Sequence, residues 1–393
     1  LSLTSLNFST TLLLRRFFDT FLGLGLDDIL LCLRMAGDLL THVLRSGSDD
    51  GNNNVEGREM ENQNNSAYIF FREQMLPKYG VLLSGPDPLP QLALRILFTV
   101  LDRNVNFVSD VEDARLVRRV VSCLTAKNGR TLERESSVHA ARVLWCVMTW
   151  ESTSMLLLHT YDVVHRLRQA TIVARRTNAA SCYEPLLACT EALLLHGCEM
   201  VRTSGGSAVS NSDNERTQRP ETTSLTLTDV REYIRELLNV EYLEVLTSLV
   251  ANPKGDSAMT CEEVQLRASQ CILLMGQFLG SELYSLLLGS QNCLNGLCTF
   301  LEGRYQNAPS SSSAVEDRRI QASMRTLQTL TFACDYDKKY ITMIVTSQRL
   351  VAALNQCEQS NDGRDLKTAV SGSWAGLSVA ALAHVLNQKL RSR

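Results

Sequence analysis

Apolar positions recur three and four residues apart along almost the whole chain. Within residues 264–279, Ala268, Ile272, Met275 and Leu279 share one side of a helix, and Arg267, Gln270 and Gln277 share the other. Residues 320–333 repeat the arrangement, with Ile320, Met324, Leu327 and Thr331 turned inward and Gln321, Arg325 and Gln328 turned outward. Within residues 163–176, Val163, Leu167, Ala170 and Ala174 form the apolar side, leaving His165, Arg168 and Arg175 on the outer face with Arg166 and Arg176 at its edges. This period of 3.6 predicts amphipathic helices, and no stretch alternates long enough to predict a strand.

The eight prolines agree with helices. Each falls in an expected turn, loop or helix start. Inside a helix a proline removes a backbone donor and clashes with the preceding turn, at a cost of about 3 kcal/mol.

Helices of this kind come in series. An apolar residue, any residue and then Ala recurs at Val138-His139-Ala140, Leu266-Arg267-Ala268 and Ile320-Gln321-Ala322. After the last two, a polar turn leads to a second amphipathic run at residues 292–301 and 348–354. With a serine tract at 308–313 set aside, the spacing approaches the ~40–47 residues of armadillo and HEAT repeats. Alanine at a helix crossing lets stacked helices approach closely. The expected fold is all-α, an armadillo/HEAT-like α-solenoid of stacked helix pairs with polar disordered insertions. The expected organisation is N-terminal helices of the array at 1–45, a disordered insertion at 46–66, a first repeat block at 67–202, a second insertion at 203–224 and a second block at 225–393. The insertions are read from runs of Asn, Asp, Ser, Thr and Gly, which bury too little apolar surface to offset the entropy of ordering.

Composition changes this picture little. Hydrophobic residues make up 45% of the 393 positions and charged residues 21%, the balance of a chain that buries a core. The net charge of -3 lacks the basic excess of a dedicated nucleic-acid binder. No apolar run reaches the ~18 residues of a membrane span. The 12 cysteines lie mostly in apolar helical runs with no CxxC pair, as expected of reduced core thiols in a cytoplasmic protein. The chain opens on Leu1 rather than Met, as a piece of a longer polypeptide would.

Catalytic chemistry is missing from the pattern. Gly23-Leu24-Gly25 lacks the third glycine of a phosphate-binding turn, the six histidines are scattered, and no carboxylate pair sits in an apolar run. No catalytic, cofactor-binding or metal-ligating residue is expected, and the chain is not read as an enzyme.

One window carries a resemblance. Residues 74–97 place Leu76-Pro77 and Tyr79 before the apolar pair Leu82-Leu83. The turn Asp87-Pro88-Leu89-Pro90 follows, then a helix opening with Ala93-Leu94 and continuing through Leu97. This resembles the armadillo/HEAT-like C-terminal repeat region of the Fused and Unc-51-like ciliary (pseudo)kinase group. The resemblance implies association with cilium or flagellum microtubules, a location at the axoneme, and axonemal microtubule proteins or a Fused-type kinase as partners. The kinase domain itself is absent from these residues. The residues alone describe the window as a stiff corner, with Pro88 and Pro90 restricting their neighbours and Pro90 opening a helix.

Two partner-binding surfaces are expected. The outward residues Arg267, Gln270, Gln277, Gln321, Arg325 and Gln328 form a row across successive helices, free enough that Glu at 267 and 325 leaves the melting temperature nearly unchanged. His165, Arg168 and Arg175 form a basic stripe for an acidic partner such as a tubulin tail, against the plainer reading of a solvated face. Trp145 is expected in the core and Trp150 and Trp374 are undetermined. The function expected is a scaffold that binds other proteins and neither nucleic acid nor membrane. The alternative is a cytosolic adaptor, an importin-type transport receptor or a regulatory subunit.

Overall fold

A computed structural model describes residues 25–46, 68–125, 134–150, 155–206, 226–303, 313–359 and 378–392. Every regular element among them is helical. The chain divides into two compact units, residues 1–153 and 154–393. The block boundary expected at 203–224 therefore falls inside a unit. Most of the three expected polar insertions lies outside the described residues, but helix runs on to Gly206 at one of them and begins at Ser313 beside another.

The first unit contains α1 (Leu26–Ser46), α2 (Tyr79–Leu82), α3 (Leu89–Arg103), α4 (Val108–Asp113), α5 (Val117–Ser122) and α6 (Arg134–Thr149). A π turn (Phe71–Met75) and a 3-10 turn (Leu76–Lys78) lead into α2, so Pro77 opens a tight turn where it displaces no α-helical bond. Pro90 is the second residue of α3, and Leu89, expected in the turn, is already its first. The window of resemblance is a packed corner. Tyr79 is fully buried, donates its hydroxyl to the Ala93 carbonyl at 3.0 Å and meets the Phe71 ring edge-on at 5.5 Å. Leu76, Leu82, Leu83, Leu89, Ala93, Leu94 and Leu97 are buried around it. Arg119 closes the far side by donating to the Gly80 carbonyl and, at 2.6 Å, to Ser84.

Helices α1, α3 and α6 form one layer, with α3 packed against both others. The α3–α6 register is parallel: His139 feels the charge of Arg95, Arg142 lies over the Phe98 ring, and Cys146 feels Asp102.

The second unit is four successive triplets. They are α7 (Met155–Thr160), α8 (Val163–Arg176) and α9 (Tyr183–Gly206); α10 (Leu227–Arg235), α11 (Val240–Ala251) and α12 (Ala258–Leu279); α13 (Ser281–Gly289), α14 (Gln291–Gly303) and α15 (Ser313–Tyr336); and α16 (Lys338–Thr346), α17 (Gln348–Gln359) and α18 (Val379–Arg391). The expected stacked pairs are joined by one more element: a short first helix precedes each pair. At six to nine residues it is shorter than the ~11–18-residue window over which periodicity is read, so the sequence pattern passes over it. Second helices stack on second helices (α8, α11, α14, α17) and third on third (α9, α12, α15, α18). The third-helix layer is parallel, since Met259, Leu266 and Gly280 meet Arg318, Arg325 and Tyr336 in the same order along the chain.

Local chemistry starts these helices. Thr226 and Asp229 form a reciprocal capping box at α10, and Asn239, Ser257, Asp337 and Ser378 cap α11, α12, α16 and α18. The alanines of the recurring motif, Ala140 on α6, Ala268 on α12 and Ala322 on α15, are all fully buried. Gly296 lets α14 approach α11 so closely that a Cβ there would lie 2.9 Å from the Thr247 carbonyl oxygen. Tyrosine hydroxyls tie first helices together: Tyr233 donates to the Leu158 carbonyl at 2.7 Å and Tyr340 to Ser281 at 2.8 Å. Each keeps its polar tip paired while its ring fills the core.

Candidate protein-binding faces

The outward side of the third-helix layer in the second unit is crossed by charge. Arg267 on α12 reaches Glu191 at 2.8 Å, its own-helix neighbour Glu263 at 3.0 Å and Glu184 at 3.4 Å. Burial alone would lower its pKa, but Glu191, Glu263 and Glu184 together hold it above the usual arginine value. Glu263 also receives Arg318 of α15 at 3.3 Å, and Glu262 receives Arg319 at 3.1 Å. Arg325 donates to the Leu266 carbonyl at 3.2 Å. Its pKa is lowered because burial outweighs Glu191, Cys271 and Glu263, with Arg267 adding to the repulsion.

This placement corrects the expected row. Arg267 and Arg325 are part of the seam between third helices, and their guanidiniums are already engaged. Gln328 is buried at 3% exposure rather than turned outward. Gln270 and Gln321 are half-buried, and Gln277 alone of the six is exposed.

The basic stripe on α8 has a similar fate. Arg168 donates to the Glu236 carbonyl, Arg175 to the Glu244 carbonyl at 2.9 Å and to Ser248 at 3.2 Å, and Arg176 pairs with Glu241 at 2.7 Å. His165 sits 3.7 Å from Asp162. The three arginines face the next triplet and stitch α8 to α10 and α11, and the carbonyl at the C-terminal end of α10 suits the cation of Arg168.

The first unit differs. Arg95 on α3 and Arg142 on α6 are exposed, and neither forms an ion pair among the described residues. The Arg142 guanidinium lies over the Phe98 ring, 5.7 Å from its centroid. His139 is drawn down to about 4, first by burial and then by the positive charges of Arg142 and Arg95. Trp145, expected in the core beside Val138, Ala141 and Met148, is 36% exposed while those three are buried. It stands at the edge of the apolar arc, where the azimuth on a helical wheel does not decide burial. Trp150 is half-buried, and Trp374 lies outside the described residues.

No group of His, Cys, Asp and Glu able to hold a metal occurs among the described residues. None of the twelve cysteines forms a disulfide, and burial raises thiols such as Cys146, to about 12, and Cys334, to about 11. Among the described residues no helix is long and apolar enough to cross a membrane.

Comparison with known proteins agrees with the architecture. Residues 26–109 match the family described as serine/threonine-protein kinase ULK4-like, HEAT repeats. A curated relative, the serine/threonine-protein kinase ULK4 of Mus musculus, is 28% identical over 88 residues, which are 22% of this chain and 6% of that protein. Among solved structures, the crystal complex of SYS-1/POP-1 contains a chain that superposes with a TM-score of 0.54 at 10% identity, over 92% of this chain and 63% of that one. An engineered protein superposes with a TM-score of 0.49 at 12% identity, over 81% of this chain and 99% of the other. The fold is an all-α helical solenoid, and its N-terminal part is a HEAT-like repeat region.

Proposed function

We propose that this chain is a non-catalytic scaffold that binds other proteins, the repeat region of a Fused- or Unc-51-like kinase or pseudokinase associated with cilium or flagellum microtubules. The observation that carries the scaffold reading is the parallel stacking of third helices, which lines up side chains from successive repeats on one continuous surface. The similarity of residues 26–109 to the HEAT repeats of ULK4-like kinases supports the kinase-group reading. So does the packed corner at Leu76–Leu97, whose residues are those of the resemblance. Burial raises thiols such as Cys146 and Cys334 away from the reactive thiolate, which supports the non-catalytic part of this reading.

The test is co-sedimentation of the purified chain with isolated axonemes, beside capture of partners from ciliated cells by the tagged chain. Axonemal retention that survives moderate salt is the expected result. Failure to sediment removes the ciliary assignment. Saturable ATP turnover abolished by a single substitution overturns the non-catalytic reading.

A further inference from the structure

We propose that the outward face of α3 and α6 is a docking surface for an acidic segment of a partner protein, with Arg95 and Arg142 taking its carboxylates and Trp145 an adjacent apolar side chain. The proposal rests on the scaffold reading and adds to it the place and the chemistry of one contact.

Two exposed arginines on neighbouring parallel helices lack any ion-pair partner among the described residues. Both act on one spot: His139, three residues before Arg142 on α6, feels the positive charge of each. Arg142 rests over the face of Phe98, which holds a guanidinium by its plane and leaves the N–H groups along its edge for an acceptor. Charge-assisted contacts from an edge-on guanidinium to a carboxylate are the strong class of hydrogen bond. One turn further along α6, Trp145 offers exposed indole surface. Tryptophan and arginine together are the residue types that dominate binding energy at protein interfaces.

The same face argues for a peptide segment over an extended polyanion. Glu135 lies 4.0 Å from His139, and Asp102 is exposed on α3, so acidic groups flank the arginines. A phosphate backbone running across both helices would meet these carboxylates. A short acidic segment can place its charges on the two arginines and its uncharged positions elsewhere. The net charge of -3 points the same way.

The test uses the full 393-residue chain. Its probes are a fluorescein-labelled Glu-rich peptide with one central Phe, the matching Lys-rich peptide and a single-stranded oligonucleotide, read by anisotropy at low salt. The Glu-rich peptide should bind, and Arg95→Glu or Arg142→Glu should each weaken it about tenfold, the size of one strong contact. Trp145→Ala should weaken it further. The Arg95→Glu, Arg142→Glu double variant should lose the Glu-rich peptide and gain the Lys-rich one, an exchange that a misfolded variant cannot show. Arg231→Glu, an exposed change on α10, should leave binding unchanged. Equal loss with Arg231→Glu, tighter binding of the oligonucleotide, or no binding of the Glu-rich peptide overturns the proposal. If the double variant still captures the partners that the native chain captures from ciliated cells, this surface is wrong and the scaffold stands. If the native chain captures none, the scaffold reading itself fails.

Discussion

The layer of α1, α3 and α6 in the first unit and the third-helix layer of the second carry the same kinds of outward residue and use them differently. In the second unit Arg267 is surrounded by Glu184, Glu191 and Glu263, and Arg325 reaches back to the preceding helix. In the first unit Arg95 and Arg142 remain without carboxylate partners among the described residues. An outward arginine on a repeat helix is therefore not by itself a sign of a binding surface. What separates the two cases is whether neighbouring repeats supply acids at the same height. Glu191 stands 76 positions before Arg267, and it reaches the arginine only because α9 and α12 stack in parallel register.

The sharpest way to break the comparison is to make one substitution on both faces. Arg267→Glu would set four carboxylates together at a site where the arginine side chain is only 23% exposed. Leaving partly buried charges unpaired should cost about 2–3 kcal/mol, below the range for fully buried pairs because water still screens this one. Chemical denaturation should show the loss as a lower midpoint, and an unchanged midpoint would mean that the seam contributes nothing.

Gly296→Ala tests the packing beneath that seam. Its Cβ would meet the backbone of Thr247, which cannot rotate away as a side chain could. A cost of about 2 kcal/mol is expected in the same measurement. Close to zero would mean that α11 and α14 stand further apart than described here.

A smaller effect should appear on mild acidification, through His139 of the first unit. His139 binds its proton less readily when folded, at about 4 against an ordinary value of 6.5. The unfolded chain therefore takes the proton first as pH falls. Any stability linked to this group is intact above 6.5 and is lost progressively towards 4. His139→Gln should flatten the stability profile across that window while leaving it unchanged at pH 8. A profile that keeps its slope would assign the acid sensitivity to other groups.

The smallest effect is expected at Arg142→Glu, the counterpart of the first substitution. With no ion pair to lose and only the exposed contact over Phe98 removed, stability should move by no more than about 1 kcal/mol. A shift as large as that of Arg267→Glu would show that the two faces are alike and that the comparison does not hold.

Much of the fold was legible in the residue pattern. Apolar spacing placed Ala268, Ile272, Met275 and Leu279 inward, as it did Ile320, Met324, Leu327 and Thr331, and all are buried. The recurring alanines marked α6, α12 and α15, and the prolines marked turns and helix starts. The short first helices escaped notice because α10, α13 and α16 are each shorter than the ~11–18-residue window over which a period is read. Of the candidate sites, helix phase was legible and accessibility was not. Gln328 and Arg325 both lie on the polar arc of α15, yet one is buried and the other half-buried.

The chain by itself determined that this protein is helical, where its helices turn and which side of each seeks the core. These depend on local propensity, capping and period, which act within a few residues. Only the tertiary structure decided which polar residues remain available to a partner. An arginine's role depends on acids brought beside it by helix stacking, and stacking joins positions dozens of residues apart that no local pattern connects.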